Sequence, residues 1–337
     1  MSGMGRAAAV VVRTRKEEAM SGKNGGISRR SFTKVSMVGA ALLASGTITK
    51  GASGNVKNSS LRLGGPVFEK YDSPDAWVRA LQALGYGAAY CPVGAKASDD
   101  VVGAYAKAAQ DADIIIAEVG VWNNPISPNE KVRKAAIAKC CAQLDLADRI
   151  GANCCVNVTG SRGEQFAGPH PDNLTDETFD MIVETTRAII DEVKPTRTYF
   201  TLETMPWAYP DSVESYVRLL KAIDRTEFAV HLDPANLICS PQRYFGNSQL
   251  IRECFEKLGP YVKSCHAKDS ILLTDLTTHI NEVRPGLGNL DYTTFLRELS
   301  KLRDVPLMLE HLQTAEEYRQ AAEHIRSVAK GIGLSFS

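Results

Sequence analysis

From about residue 60 onward, short runs of β-branched and small apolar residues alternate with longer stretches of helical period, and the alternation repeats eight times. Such runs describe strands joined by crossover helices. The strands are expected at 61–64, 88–92, 114–119, 154–158, 199–203, 228–233, 262–266 and 306–310. The helices are expected at 74–84, 99–110, 130–150, 176–193, 212–223, 248–257, 292–302 and 315–329. Two of these open on good capping residues, Ser73 followed by Pro74 and Thr175. Eight strand–helix units predict a (β/α)8 TIM barrel. An open doubly wound sheet alternates too, but no G-x-G-x-x-G follows the first strand and no P-loop occurs. No linker or shift in composition divides residues 55–337, so one barrel domain is expected there.

Charge narrows the function classes. Lys plus Arg and Asp plus Glu each number 39, a formal net charge of zero, which excludes the strong basic bias of a general nucleic-acid binder. Eight cysteines in 337 residues fall far below the density of a disulfide scaffold, and there is no C-x-x-C. The adjacent pairs Cys140–Cys141 and Cys154–Cys155 read as apolar filler.

Residues 1–54 stand apart as a leader. The run Ser28-Arg29-Arg30-Ser31-Phe32-Thr33-Lys34, followed by apolar residues 35–43, resembles a twin-arginine export signal. That resemblance implies passage through the twin-arginine translocase and a periplasmic or other extracytoplasmic location.

The chemistry-bearing residues sit where the predicted strands end. The fifth strand ends in Glu203, the sixth in Asp233, the seventh in His266 and the eighth in Glu310, each after a run of mostly apolar residues. In a barrel these four return to the carboxyl-end rim, where such folds place their chemistry. Three carboxylates and an imidazole gathered there would repel one another unless a cation lay between them. The mixed oxygen and nitrogen set suits Mn2+, Mg2+ or Co2+, and Zn2+ also fits.

With these residues in view, the chain resembles the sugar phosphate isomerase/epimerase family, the xylose isomerase-like TIM barrels, over nearly all of 60–330. The matching features are Glu203, Asp233, the H-x-K-D stretch His266-Ala267-Lys268-Asp269, Glu310, and Arg284-Pro285-Gly286-Leu287-Gly288-Asn289-Leu290-Asp291 as the G-x-G-x-hydrophobic-D segment. One departure is Asn236, where many members have His; Asn can hydrogen-bond a hydroxyl but cannot titrate near neutral pH. His231, two residues before Asp233, is the candidate to substitute.

The resemblance implies a divalent-metal-dependent sugar isomerase or epimerase. Glu203 and Glu310 would act as acid and base, with metal at Glu203, Asp233, His266 and Glu310, and proton transfer next to a carbonyl through an enediolate. His231, Asn236, Lys268, Arg284, Trp207 and Glu118 are the expected substrate contacts, with Trp122 beside Glu118. His311 is expected to be exposed or structural. A lyase on the same scaffold, a dehydratase or 3-keto-glycoside eliminase, is the alternative, and a non-catalytic carbohydrate-binding barrel a further one. An apurinic-site endonuclease shares the barrel but needs more ligands than this chain places at its strand ends. A small-molecule sugar is thus the expected partner, without nucleic acid; the sequence leaves the sugar, its phosphorylation, the metal and the oligomeric state, a homo-oligomer included, open.

Overall fold

The outward faces of the strands need apolar cover, and the helical stretches supply it. The computed structural model describes residues 61–337; the leader and its twin-arginine segment lie outside the described residues. Strands β1 (Arg62–Gly65), β2 (Ala88–Tyr90), β3 (Ile115–Gly120), β4 (Cys154–Asn157), β5 (Tyr199–Glu203), β6 (Phe228–Leu232), β7 (Val262–Ala267), β8 (Asp269–Leu272), β9 (Ile280–Val283) and β10 (Pro306–Leu309) occur in that order. All but β8 and β9 are parallel and close into a barrel, β1-β10-β7-β6-β5-β4-β3-β2. Closure runs through Leu63 opposite Leu307. The expected TIM barrel is therefore the fold.

Around the barrel lie α1 (Pro74–Ala83), α2 (Asp99–Asp111), α3 (Glu130–Ile150), α4 (Asp176–Val193), α5 (Val213–Ile223), α6 (Pro241–Phe245), α7 (Asn247–Leu258), α8 (Tyr292–Leu299) and α9 (Ala315–Gly331). Ser73 and Thr175 cap α1 and α4 through their side chains, and Thr314 and Glu317 form a reciprocal cap on α9. Leu63, Phe200, Val230 and Leu309 on the strands and Trp77, Leu144 and Tyr216 on the helices belong to one buried core. Each large side chain so buried contributes about 1.5–3 kcal/mol. The buried Tyr216 hydroxyl donates to the Leu202 carbonyl at 2.5 Å and accepts from the His231 amide at 3.2 Å, tying β5 to β6 beneath their ends.

Inside the barrel the filling is divided. Ala88, Ala117 and Met308 make a small apolar patch. Next to it, with His266 paired to Met308 across the strands, Glu118, His231, Ser264 and His266 are all buried.

A hairpin and a short helix went unforeseen. The antiparallel hairpin β8–β9 pairs Ser270 with Glu282 directly after the seventh barrel strand. Its second arm, Ile-Asn-Glu-Val, is four residues long with an exposed middle, too short for a period to show. Helix α6 has five residues and fails for the same reason.

Candidate metal centre

Glu203, Asp233, His266 and Glu310 each offer one ligand atom, and these atoms lie within 4.8 Å of one another. The strand-end reading therefore brings its four residues together. Each is held by local chemistry. Asp233 opens the turn Asp-Pro-Ala-Asn, and its Oδ1 accepts the amides of Ala235 at 2.9 Å and Asn236 at 3.3 Å. That leaves Oδ2 for the cluster. Asn236 Nδ2 donates to Glu203 Oε1 at 3.2 Å and to the Thr204 carbonyl at 3.0 Å. Its amide steadies a carboxylate of the cluster.

His266 presents Nδ1 to this cluster, 2.9 Å from Glu203 Oε1 and 2.8 Å from Glu310 Oε1. Its other nitrogen, Nε2, faces Glu118 Oε1 at 3.3 Å. Glu118 Oε2 in turn lies 2.8 Å from His231 Nε2 and accepts from Ser264 Oγ at 3.0 Å. A proton on Nε2 shared with Glu118 leaves the Nδ1 lone pair among the carboxylate oxygens. This is the arrangement in which an outer carboxylate fixes a metal-binding histidine.

Glu118 and His231 thus require a correction. Both were expected to touch substrate, but neither side chain reaches solvent. They lie beneath His266, the His231 ring and the Glu118 carboxylate against it, with the two imidazole centroids 4.1 Å apart. A register shift explains Glu118: Ala89 pairs with Ile116 and Tyr90 with Glu118, so Ala117 is left unopposed. The bulge turns Ala117 and Glu118 both inward, which strict alternation forbids.

Lys268 lies two residues beyond His266 on the same face. Its Nζ is 2.8 Å from Asp233 Oδ2, 2.6 Å from Glu310 Oε1 and 3.5 Å from Glu203 Oε1. Yet Asp233 Oδ2 and Glu310 Oε1 have no partner in hydrogen-bond geometry. Three carboxylates share one ammonium and one imidazole, so two buried oxygens at the common centre have charged neighbours but no well-aligned hydrogen bond. Such groups are costly to bury without one. The donor set and these two oxygens fit a hard or borderline divalent cation.

The electrostatics follow from burial opposed by these pairings. Burial resists ionisation of Glu203, but His266 and Lys268 outweigh it and hold the carboxyl below the usual range. Burial likewise resists ionisation of Glu118, and His231 with His266 overcomes it. At Asp233 burial prevails: despite Lys268, burial with the charges of Glu203 and Glu310 pushes the carboxyl up to about 6. Burial disfavours the Lys268 ammonium, but Asp233, Glu203 and Glu310 keep it charged well above its ordinary range.

Asp269, next in the chain, plays a structural part. Its Oδ1 accepts the amides of Ser270 and Leu290, each at 2.8 Å, and its Oδ2 those of Gly286 at 3.0 Å and Gly288 at 3.1 Å. The glycines are required there. A Cβ on Gly288 would run into the Ser270 carbonyl and the Asp269 carboxylate, and Gly286 has a φ of +94°. One buried carboxylate so binds the Arg284–Asp291 segment to the end of β7.

Above the cluster opens a cavity of about 520 Å3. Glu203 and Glu310 line it, as do Lys268, Asn236 and Trp207. Arg284 does not: its guanidinium donates to the Pro285 carbonyl at 3.0 Å, and the expected role in binding substrate has no support in its position. Glu282 and His311, unforeseen as site residues, do line the cavity, His311 Nδ1 lying 3.1 Å from Glu282 Oε1. Glu282 arrives on the unforeseen hairpin, which is why no strand-end signal marked it.

Residues 78–328 match the family described as xylose isomerase-like TIM barrel. The chain belongs to that family. A comparison with curated proteins found no match. Among solved structures, a xylose isomerase-like TIM barrel protein from Mycobacterium smegmatis in complex with magnesium is 16% identical. It covers 81% of this chain and 96% of its own, with a TM-score of 0.57. The 3-keto-D-glucoside 4-epimerase of E. coli is 12% identical, over 80% and 100%, with a TM-score of 0.57. Endonuclease IV of Thermus thermophilus is 15% identical, over 80% and 99%, with a TM-score of 0.61. At such identity these likenesses show the fold of the xylose isomerase-like barrels and leave the reaction to the site.

Proposed function

We propose that this xylose isomerase-like barrel is a metal-dependent isomerase or epimerase that moves a proton next to the carbonyl of a sugar. The observation that carries the reading is the meeting of Glu203, Asp233, His266 Nδ1 and Glu310, three carboxylates and an imidazole whose ligand atoms lie within 4.8 Å of one another. These four residues would hold the ion. A bound dication would supply the charge that acidifies the C–H beside a substrate carbonyl.

The chain's own residues divide the remaining work. Asp233 and His266 are buried away from the cavity, whereas Glu203 and Glu310 line it. The two glutamates are therefore the groups within reach of a substrate proton. One removes it and the other returns it, to the same carbon for epimerisation or to the adjacent carbon for isomerisation. Lys268 remains an ammonium at the cavity floor, held by Asp233 and Glu310. The magnesium-bound barrel and the 3-keto-D-glucoside 4-epimerase, alike in fold, support the metal and the class of chemistry. The Ser28–Lys34 segment supports an exported protein.

The test is deuterium wash-in. Mn2+-loaded protein is incubated with keto sugars in D2O and followed by proton NMR. Exchange beside the carbonyl is expected, and Glu310→Gln should slow it by roughly 10²–10⁴-fold with an unchanged circular dichroism spectrum. Absence of exchange on every keto sugar, or full exchange in the variant, would overturn the reading. Release of an aglycone during exchange would move the assignment to the lyase alternative.

A further inference from the structure

The floor of the cavity accounts for a sugar, but its walls are of another kind. Trp122, Phe166 and Trp207 are 39, 52 and 41% exposed, and all three line this one cavity. Large aromatic side chains left open at one mouth mark a surface shaped for contact.

The walls are built. Trp122 has a φ of +50°, an uncommon conformation for a bulky residue away from a helix end. Its ring lies 6.2 Å from that of His266. A side chain at Gly120 would strike the Trp122 indole, so the glycine makes room for it. Trp207 Nε1 donates to the Ala167 carbonyl at 2.7 Å, and Asn173 Nδ2 donates to the Trp207 carbonyl at 3.2 Å. The loop bearing Phe166 is thereby fastened to the one bearing Trp207.

The side-chain charges disfavour an anionic occupant. The cavity is lined by Glu203, Glu282 and Glu310 against Lys268 and His311. Lys268 is committed to Asp233 and Glu310, and His311 to Glu282. Among the described residues that line the cavity no cation is left over for a phosphate or carboxylate. Its volume of about 520 Å3 lies in the range of sites for ligands larger than one sugar ring.

We propose that the cavity takes an uncharged glycoside whose aglycone is planar and apolar, seated among Trp122, Phe166 and Trp207 with the sugar over the carboxylate cluster. The orientation of the sugar rests on the proton-transfer reading; the aglycone site rests on the aromatic walls and the missing cation. Ring stacking then adds affinity that a methyl group cannot.

Isothermal titration calorimetry on the full Mn2+-loaded chain tests this. The probes are paired methyl and p-nitrophenyl glycosides of D-glucose, D-galactose and D-xylose, with D-glucose 6-phosphate against D-glucose. The glycosides have no free carbonyl and bind without reacting. For at least one sugar the p-nitrophenyl member should bind about tenfold tighter than the methyl member. The phosphate should bind no tighter than glucose. Trp207→Ala should reduce the aryl advantage to below threefold while the methyl glycoside changes less than twofold. Phe166→Ala, at a more exposed position, repeats the test if the first variant folds poorly. Equal binding within every pair, no binding by any pair, or tighter binding of the phosphate overturns the proposal. Deuterium exchange without aryl preference removes the aglycone site alone; aryl preference without exchange removes the proton-transfer reading and leaves the site.

Discussion

Glu118 and His266 meet inside the barrel, Oε1 to Nε2 at 3.3 Å, and this contact selects which ring nitrogen faces the carboxylate cluster. The same carboxylate holds His231 Nε2 at 2.8 Å and accepts from Ser264. Glu118 therefore acts on the cluster through His266. In Glu118→Gln the amide can donate as well as accept, and the tautomer of His266 is no longer fixed. Mn2+ affinity, read by calorimetry or electron paramagnetic resonance, should fall about 10–100-fold with the fold retained. Unchanged affinity would remove Glu118 from this role.

Lys268 supplies positive charge that the cluster otherwise lacks. Lys268→Met leaves Asp233 and Glu310 without their ammonium neighbour. Removing one partner of a buried ion pair typically costs about 3–5 kcal/mol. The metal-free variant should melt well below the metal-free parent, and Mn2+ should recover more stability in the variant than in the parent. Equal melting temperatures without metal would show that the ammonium does not compensate the carboxylates.

Asp233 sets a pH dependence. Burial leads the effects that raise its folded-state value to about 6, above the ordinary 3.8. The folded protein binds this proton more tightly than the unfolded chain, so its contribution is full below the ordinary value and is lost as pH rises through about 6. A dication held at Asp233 would replace that proton. The rise in melting temperature on adding Mn2+ should therefore be larger at pH 7.5 than at pH 5, and a hundredfold excess over Kd corresponds to about 2.7 kcal/mol. An equal or smaller rise at pH 7.5 would count against metal at Asp233.

Gly288 tests the brace that joins the Arg284–Asp291 segment to β7. In Gly288→Ala the new methyl meets the Ser270 carbonyl and the Asp269 carboxylate. Overpacking of this kind costs about 1–3 kcal/mol. Chemical denaturation should show a lower midpoint, and hydrogen exchange should show faster opening of residues 284–291. A variant as stable as its parent would mean that the segment relaxes freely.

Much of the fold lay in local pattern. Strand β5 spans Tyr199–Glu203 and helices α3 and α4 span 130–150 and 176–193, each as expected, because long apolar periods with caps leave few alternatives. The four cluster residues were legible for a related reason: each lies at or just past the end of its strand, and in this fold every strand delivers its end to one rim. Hairpin β8–β9 was not legible, and with it Glu282, since a four-residue arm carries too little pattern. Arg284 lay within a recognisable motif, yet a motif does not say which way its side chain turns.

The sequence by itself determined the alternation of strand and helix, the barrel it closes into, and the carboxylates and imidazole at the strand ends. Those features depend on period and on neighbours close in the chain. The tertiary structure alone decided that Glu118 turns inward beneath His266, that Lys268 lies among the carboxylates, and that Trp122, Phe166 and Trp207 wall one cavity. Each of these joins residues far apart in the chain through strand register, a bulge and barrel closure, and such contacts exist only once all eight staves stand together.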